Sequence, residues 1–402
     1  MRILLHDHSG HPFQVELSRA LAGRGHDVLH VHSSTFQTPK ADLRRRDRDP
    51  ASFEVEGLAH DRPFAKYAAV RRARQEREYG AKLVVRAQRF EPDALVVCNT
   101  PLLTQRAITR WSVRRQVGTT LWLQDLYALA ARGVARQRGG RLAGRVVERV
   151  LRRVEAGSLR RVHQVVAISD AFLPVLRSWG VASTRTSVVP NWAPLDEIPV
   201  RPRDNAWARR HDLSDRFVFL YTGTLGLKHD PGQLVALADH FTDDAAVSLV
   251  VLSEGPGADF LRRQAIERGL SELRVLPFAT AEEYPDALGS AAVLMALLDE
   301  GAGEYSVPSK VLSYQCAGRP VLAAVPEGNQ ASETIAAAGC GIQVPPGDTG
   351  RLLAAADKLR HDESLCDELG AKGRAFAEAR FAIDPIATRF EAIIDRSVAL
   401  AR

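Results

Sequence analysis

Cysteine is scarce in this sequence, and the few present are badly placed for a scaffold. Cys98, Cys316, Cys340 and Cys366 lie far apart and none forms a CxxC pair. That argues against a disulfide framework or a cysteine zinc site and suits a reducing compartment. No run of 18 or more apolar residues occurs, so no membrane-spanning helix is expected. MRILLHD begins at once as a strand, without the pattern of a signal peptide, and a cytoplasmic location is expected. Aromatic residues are not interleaved with the basic ones, so no nucleic-acid partner is expected. GxGxxG and GxxxxGK[ST] are both missing, which disfavours a dinucleotide-dependent dehydrogenase and a Walker-type nucleotidase. No DxD-like acidic cluster sits in a suitable loop, and no metal or other cofactor is expected.

What is present fits two domains. The 402 residues are too many for one ordinary α/β domain, and 45% hydrophobic residues is typical of a globular chain. Charge is divided: residues 1–200 hold 33 Lys and Arg against 19 Asp and Glu, while the remainder holds 21 against 29. The basic residues concentrate in stretches 71–89 and 132–161. Many would simply be solvated faces. As a group they would also attract an anionic surface, either membrane phospholipid or a phosphate-bearing acceptor.

Strand and helix patterns alternate along the whole chain. RILLHD, DVLHVH, ALVVCNT, TTLWLQD, QVVAIS and TSVVP read as strands of a first block, separated by helical segments. A proline-rich stretch reaching to about Pro202 reads as a linker. FVFLYTG, VSLVVLSEG, LRVLPF, VLMALL, PVLAAV and GIQV form a second block. The expected fold class is α/β, with two doubly wound Rossmann-like domains facing across a cleft. Their expected extents are 1–198 and 199–382, with a terminal amphipathic helix over 383–402 crossing back to the first.

Two loops of the second block suit a phosphate. VLMALLDEGAGEYSVPSKVLSYQCAGRPV reads as strand, glycine-rich loop, helix, turn and strand. Ser306 would cap the helix, Val307, Pro308 and Ser309 would form its first turn, and Gly318 would end it. Lys310 would add charge to free N–H groups at the helix start. FLYTGTLGLKHDP repeats the logic, with Gly223 and Gly226 for close backbone approach and Lys228 and His229 at the start of the next helix. Ordinary βα turns would look much the same. The loop HDHSGHP carries Gly10 with His6, His8 and His11. These histidines are more simply solvated or substrate-contacting groups than metal ligands, since no acidic cluster completes a site.

The chain resembles a GT-B-fold glycosyltransferase of the large retaining family 4, nearly end to end. The pieces that carry the resemblance are DHSGHPFQVELSRALAGRGHDVLHV, QVVAISDAFLPVL, SVVPNWAPLDEI, YTGTLGLKHDP, VLSEGPG, LRVLPFATAEEYPDALGSAAVLM and VPSKVLSYQCAGRPVLAAV. With AAAGCGIQVPPGD behind it, the last is similar to the subgroup that builds cell-surface polysaccharides. The resemblance implies a nucleotide diphosphate sugar, most often UDP-linked, in the second domain. Lys228 would neutralise the leaving diphosphate; Gly223, Thr224 and Gly226 would approach the phosphates. Glu254 with Gly255 would sit by the nucleotide, and Pro277 and Phe278 would hold the base. Ser309 and Lys310 would lie by the diphosphate and sugar. The first domain would hold a hydroxyl acceptor, often lipid-linked at the cytoplasmic membrane face, with Gly10, His11 and Asn191 at the cleft. Retention of configuration is implied by the family alone.

The sequence also departs from the family pattern. The usual paired glutamates fall on Tyr305 and Ser313, with Glu304 beside the first and Glu300 opening the loop. Glu304 is therefore the candidate for the donor sugar. The usual active-site histidine is missing, and Asp125 occupies that region. The usual arginine of the phosphate loop is Thr224, which leaves Lys228 or His229 as the cation. A nucleotide-sugar epimerase of the same fold, or an inactive scaffold, remains an alternative on these residues.

Overall fold

The computed structural model describes residues 1–36, 40–62, 64, 68–226, 229–300 and 309–402. The chain divides into two compact units, Met1–Asn191 with Ile383–Arg402, and Trp192–Ala382.

The first unit holds a sheet of β1 (Arg2–Asp7), β2 (Asp27–Ser33), β3 (Phe53–Leu58), β4 (Ala94–Cys98), β5 (Gly118–Leu123), β6 (Gln164–Ala167) and β7 (Thr186–Val188). Its order is β3-β2-β1-β4-β5-β6-β7, parallel throughout. The helices are α1 (Pro12–Gly23), α2 (Ala69–Phe90), α3 (Leu102–Arg114), α4 (Tyr127–Leu159), α5 (Leu173–Ser178) and the returning α14 (Ile383–Ala401). Helices cover both faces, so β4 and β5 are buried along their whole length and read as apolar runs. α14 packs on β5, where Trp122 lies 4.5 Å from Phe390 and 5.6 Å from Phe13 by ring centroids. Each such buried aromatic contributes roughly 2–3 kcal/mol.

The second unit holds β8 (Phe217–Thr222), β9 (Val247–Leu252), β10 (Leu273–Leu276), β11 (Val293–Leu297), β12 (Val321–Ala324) and β13 (Gly341–Val344) in the order β10-β9-β8-β11-β12-β13, again parallel. Around them run α6 (Ala206–Arg210), α7 (Gly232–His240), α8 (Pro256–Arg268), α9 (Tyr284–Ser290), α10 (Lys310–Cys316), α11 (Gln330–Ala338), α12 (Thr349–His361) and α13 (Glu363–Arg380). Phe219, Tyr221, Leu249, Val251, Met295 and Leu322 centre the core. In each sheet the strand order reverses once, between β1 and β4 and between β8 and β11. A doubly wound sheet binds ligands at that point, outside the strand carboxyl ends.

The elements depart from the expected ones at β3 and at the start of α7. β3, FEVEGL, is not among the expected strands; it pairs along β2 as an edge strand, and its two glutamates meet Arg86 of α2. α7 begins at Gly232, not at Lys228 or His229, because the Asp230 carboxylate accepts from the Gly232 N–H at 2.9 Å and turns the chain first. α10 begins at Lys310; the expected first turn through Ser306, Val307 and Pro308 lies outside the described residues.

The basic stretch 132–161 is also not one rod. α4 is helical except at Gly140, whose φ of 77° and ψ of −178° break the ladder. Arg132 pairs with Glu148 at 3.2 Å, and both oxygens of Glu155 accept from the N–H groups of Tyr127 and Ala128 at 2.9 and 2.8 Å. These pairings are nearly symmetric about Gly140, so α4 is a helical hairpin. Glu155 stands level with Tyr127, just past the end of β5. The second arm continues from there toward the start of β6. The part of the hairpin from Val154 back to Gly140 is about 20 Å long at 1.5 Å per residue.

Candidate active site

In the second unit the reversal point is built from the ends of β8 and β11 and from α10. Tyr314 fixes the three together. Its hydroxyl accepts from the Thr222 N–H at 3.1 Å, lies 3.2 Å from Thr222 Oγ1 and donates to the Met295 carbonyl at 3.1 Å. One helical turn earlier on the same face stands Lys310. Its stem is partly exposed, but its Nζ is shielded from solvent and has no hydrogen-bond partner among the described residues. The ammonium lies 3.6 Å from the centroid of the Tyr221 ring. Burial pushes it down to about 7. A buried ammonium without an acceptor is costly, and an anion would relieve it.

Gly223 makes room for that ammonium. Its φ is +112°, and a Cβ there would stand 3.3 Å from Lys310 Nζ. Its own N–H is spent on the Leu252 carbonyl at 3.0 Å, and that of Gly226 on His229 Nδ1 at 3.1 Å. Both glycines thus shape the turn. The N–H groups of Thr224 and Leu225 take no internal acceptor among the described residues. Gly257, in the first turn of α8, presses on this loop, since a Cβ there would meet the Leu225 carbonyl oxygen at 2.6 Å. Ser313 is half-buried beside Tyr284, which in turn reaches Thr222 Oγ1 at 3.4 Å. Asp299, past the end of β11, is pushed up by burial and by Asp230.

The loops after β8, β9 and β10 follow one another along this edge. They place Gly223 and Thr224, then exposed Glu254 before Gly255, then Pro277 and half-buried Phe278. Ser309 precedes α10 and is exposed. Lys228, Glu304 and Tyr305 lie outside the described residues. Thr222, Tyr221, Tyr284 and Tyr314 escaped the sequence reading. The available signal was Tyr314, four residues after Lys310 and hence on its face.

In the first unit Asp7 ends β1 and is fully buried. It accepts from the N–H groups of Ser9 at 3.1 Å and His11 at 2.5 Å, and from Asn99 Nδ2 at 3.2 Å. This ties β1 to β4 across the reversal point and holds the Gly10–His11 turn, although burial still pushes the carboxyl up. His6 Nδ1 lies 2.7 Å from Thr100 Oγ1 and Nε2 3.2 Å from the Tyr79 hydroxyl. Burial, with His32 nearby, pushes this imidazole down to about 3. His8 is buried beside Tyr79, Phe36, His60 and Phe64. Asn191 exchanges two hydrogen bonds with Gln124, at 3.1 and 2.6 Å. Asp125, next along, is half-buried and helps raise Glu155, which burial already pushes up to about 7. Gly10 and His11 thus sit at the β1 end and Asp125 and Asn191 near the β5 end of one edge.

The Glycosyltransferase Family 4 model matches residues 13–197, and the Glycosyl transferases group 1 model matches residues 204–376. The chain belongs to the GT-B glycosyltransferases. Among curated proteins this glycosyltransferase is 24% identical over 234 residues to the putative colanic acid biosynthesis glycosyl transferase WcaI of Escherichia coli, covering 58% of this chain and 57% of that one. It is 24% identical over 172 residues to the probable glycosyltransferase WbjE of Pseudomonas aeruginosa, covering 42% and 43%. The matches therefore span about half the length of these relatives. Among solved structures, a sucrose-phosphate synthase from Thermosynechococcus elongatus superposes with a TM-score of 0.73 at 17% identity over 100% of both chains. Anabaena HepE in complex with UDP-glucose does so at 0.70 and 16%, over 98% and 99%. These two likenesses show the fold. Among the described residues no helix is long and apolar enough to cross a membrane.

Proposed function

We propose that this glycosyltransferase moves a sugar from a UDP-linked donor to an acceptor hydroxyl, with retention, in the assembly of a surface polysaccharide or glycolipid. The observation that carries the donor assignment is the buried Lys310 ammonium, without a hydrogen-bond partner among the described residues, against Tyr221 and the Gly223 turn. A diphosphate there would meet Lys310, Lys228 and the free N–H groups of Thr224 and Leu225. As the bond to the anomeric carbon breaks, negative charge builds on the leaving diphosphate, and these donors stabilise it without a metal ion. Glu254 would face the ribose and Pro277 and Phe278 the base, because they occupy the next two strand ends. Glu304 is assigned to the donor sugar, with Ser309 and Ser313 beside it. The acceptor, a lipid-linked sugar, belongs to the edge of the first unit, where Gly10, His11, Asp125 and Asn191 lie. The UDP donors bound by relatives of this fold and the polysaccharide names of WcaI support the reading.

A thermal-shift screen against nucleotide diphosphates and their sugars tests the donor class, since a ligand that binds only the folded protein raises the melting point. UDP and its sugars should give the largest shift. Lys228→Ala should lower turnover by roughly two to three orders of magnitude at an unchanged melting point. Normal turnover in that variant would remove Lys228 from the mechanism, and products formed from donor alone would identify an epimerase.

A further inference from the structure

The α4 hairpin carries a surface that sugar transfer does not use. Along its second arm Leu142, Val146 and Val150 recur at four-residue spacing and are 76, 56 and 56% exposed. Such spacing places them on one helical stripe. Arg145, Arg149, Arg152 and Arg153 are exposed around them and form no ion pair among the described residues. From 132 to 153 the sequence holds eight arginines and one acid, Glu148, which is occupied by Arg132. Bare aliphatic side chains on a cationic helix are expensive in water, and no described residue of the first unit covers them. At the foot of the hairpin, Arg72 of α2 acts electrostatically on Tyr127. Two residues before it, Val70 is 87% exposed, with Arg71 and Arg77 exposed nearby.

The geometry points to a lipid bilayer bearing anionic headgroups as the partner of this surface: the hairpin lays Leu142, Val146 and Val150 among the acyl chains while Arg145, Arg149, Arg152 and Arg153 meet the phosphates. Charge decides the partner. An interfacial helix needs an apolar stripe with arginines at its margins, and four unpaired arginines demand an anionic counterpart. Nucleic acid would call for aromatic stacking side chains, and the stripe has none. The base of the hairpin gives the contact a purpose. That base, where Glu155 meets Tyr127, sits just past the β5 end of the carboxyl edge that holds Asp7, Gly10 and Asp125, so docking the hairpin keeps that edge near the membrane. This rests on the proposed lipid-linked acceptor for its role, not for its existence.

Co-sedimentation of the full chain with phosphatidylcholine vesicles, with and without phosphatidylglycerol, tests it. The protein should pellet only with the anionic vesicles, at low salt, and be released as salt rises. Arg149→Gln and Arg153→Gln should each weaken partition about fivefold. The double variant Val146→Asp, Val150→Asp should weaken it at least about tenfold, with unchanged circular dichroism and an unchanged UDP-induced thermal shift. No pelleting at low salt, or equal pelleting by the valine variant, overturns the proposal. A dimer in sedimentation velocity that the valine variant abolishes, without vesicle binding, assigns the stripe to a second copy and also overturns it. The UDP shift is read on the same samples, so a failed donor assignment shows separately.

Discussion

The proposed donor site turns on one atom, the Lys310 ammonium. Its ammonium is held down to about 7 by burial against an ordinary value of 10.5, so the folded state releases a proton that the unfolded chain keeps. The penalty is fully present below pH 7, where both states are charged, and is relieved as pH rises from about 7 toward 10.5. Lys310→Met should therefore leave the free protein as stable as the parent, or more so, in urea titrations at pH 6. The same variant should lose the stabilisation given by UDP, which for a ligand at a hundred times its Kd amounts to about 2.7 kcal/mol. A bound diphosphate should draw the ammonium back up, so binding takes up a proton above pH 7. Calorimetry in buffers of different ionisation heat reads that uptake directly, and affinity should fall as pH rises above 7. Lys310 was legible in the sequence as a cation at a helix start. Its burial without a hydrogen-bond partner among the described residues was not, because that depends on Tyr221 and Tyr314, which neither spacing nor charge marks.

At the scale of elements, the proposed phosphate loop after β8 is pressed by the first turn of α8. Gly257→Ala would drive a methyl group into the backbone of Leu225. The expected cost is about 1–3 kcal/mol in denaturant unfolding, together with weaker UDP binding, because the loop that must move carries the Thr224 and Leu225 donors. An unchanged UDP affinity would separate α8 from the site. The strands of both sheets were readable because helices on both faces demand apolar runs, as in ALVVC and VLMAL. FEVEGL was not, because an edge strand tolerates alternating glutamates. The α4 hairpin was hidden too: helical spacing persists on both sides of Gly140, and only the pairings Arg132–Glu148 and Tyr127–Glu155 show that the chain turns back.

At the scale of the molecule, the two units should respond differently to acid. His6, His8, His30 and His32 are buried in the first unit, and burial lowers all four below the ordinary 6.5. Above pH 6.5 they are neutral whether folded or not. Below it the unfolded chain takes up protons that the folded unit refuses, so stability is lost as pH falls from 6.5. Hydrogen exchange followed by mass spectrometry at pH 7 and 5 should show protection falling in β1, β2 and their neighbours before it falls in β8–β13. Equal loss in both units would sink this account.

The return of α14 to the first unit has a consequence for biosynthesis. β5 cannot bury Trp122 against Phe390 until residues 383–401 have left the ribosome. The whole of the second unit is made in between, roughly 10–40 s at ordinary elongation rates. During that interval the first sheet stands complete in its strands but uncovered along β5, with an apolar groove waiting for its last helix. The nascent protein therefore depends on the second unit folding cleanly and promptly, and chaperone capture is expected to centre on that groove.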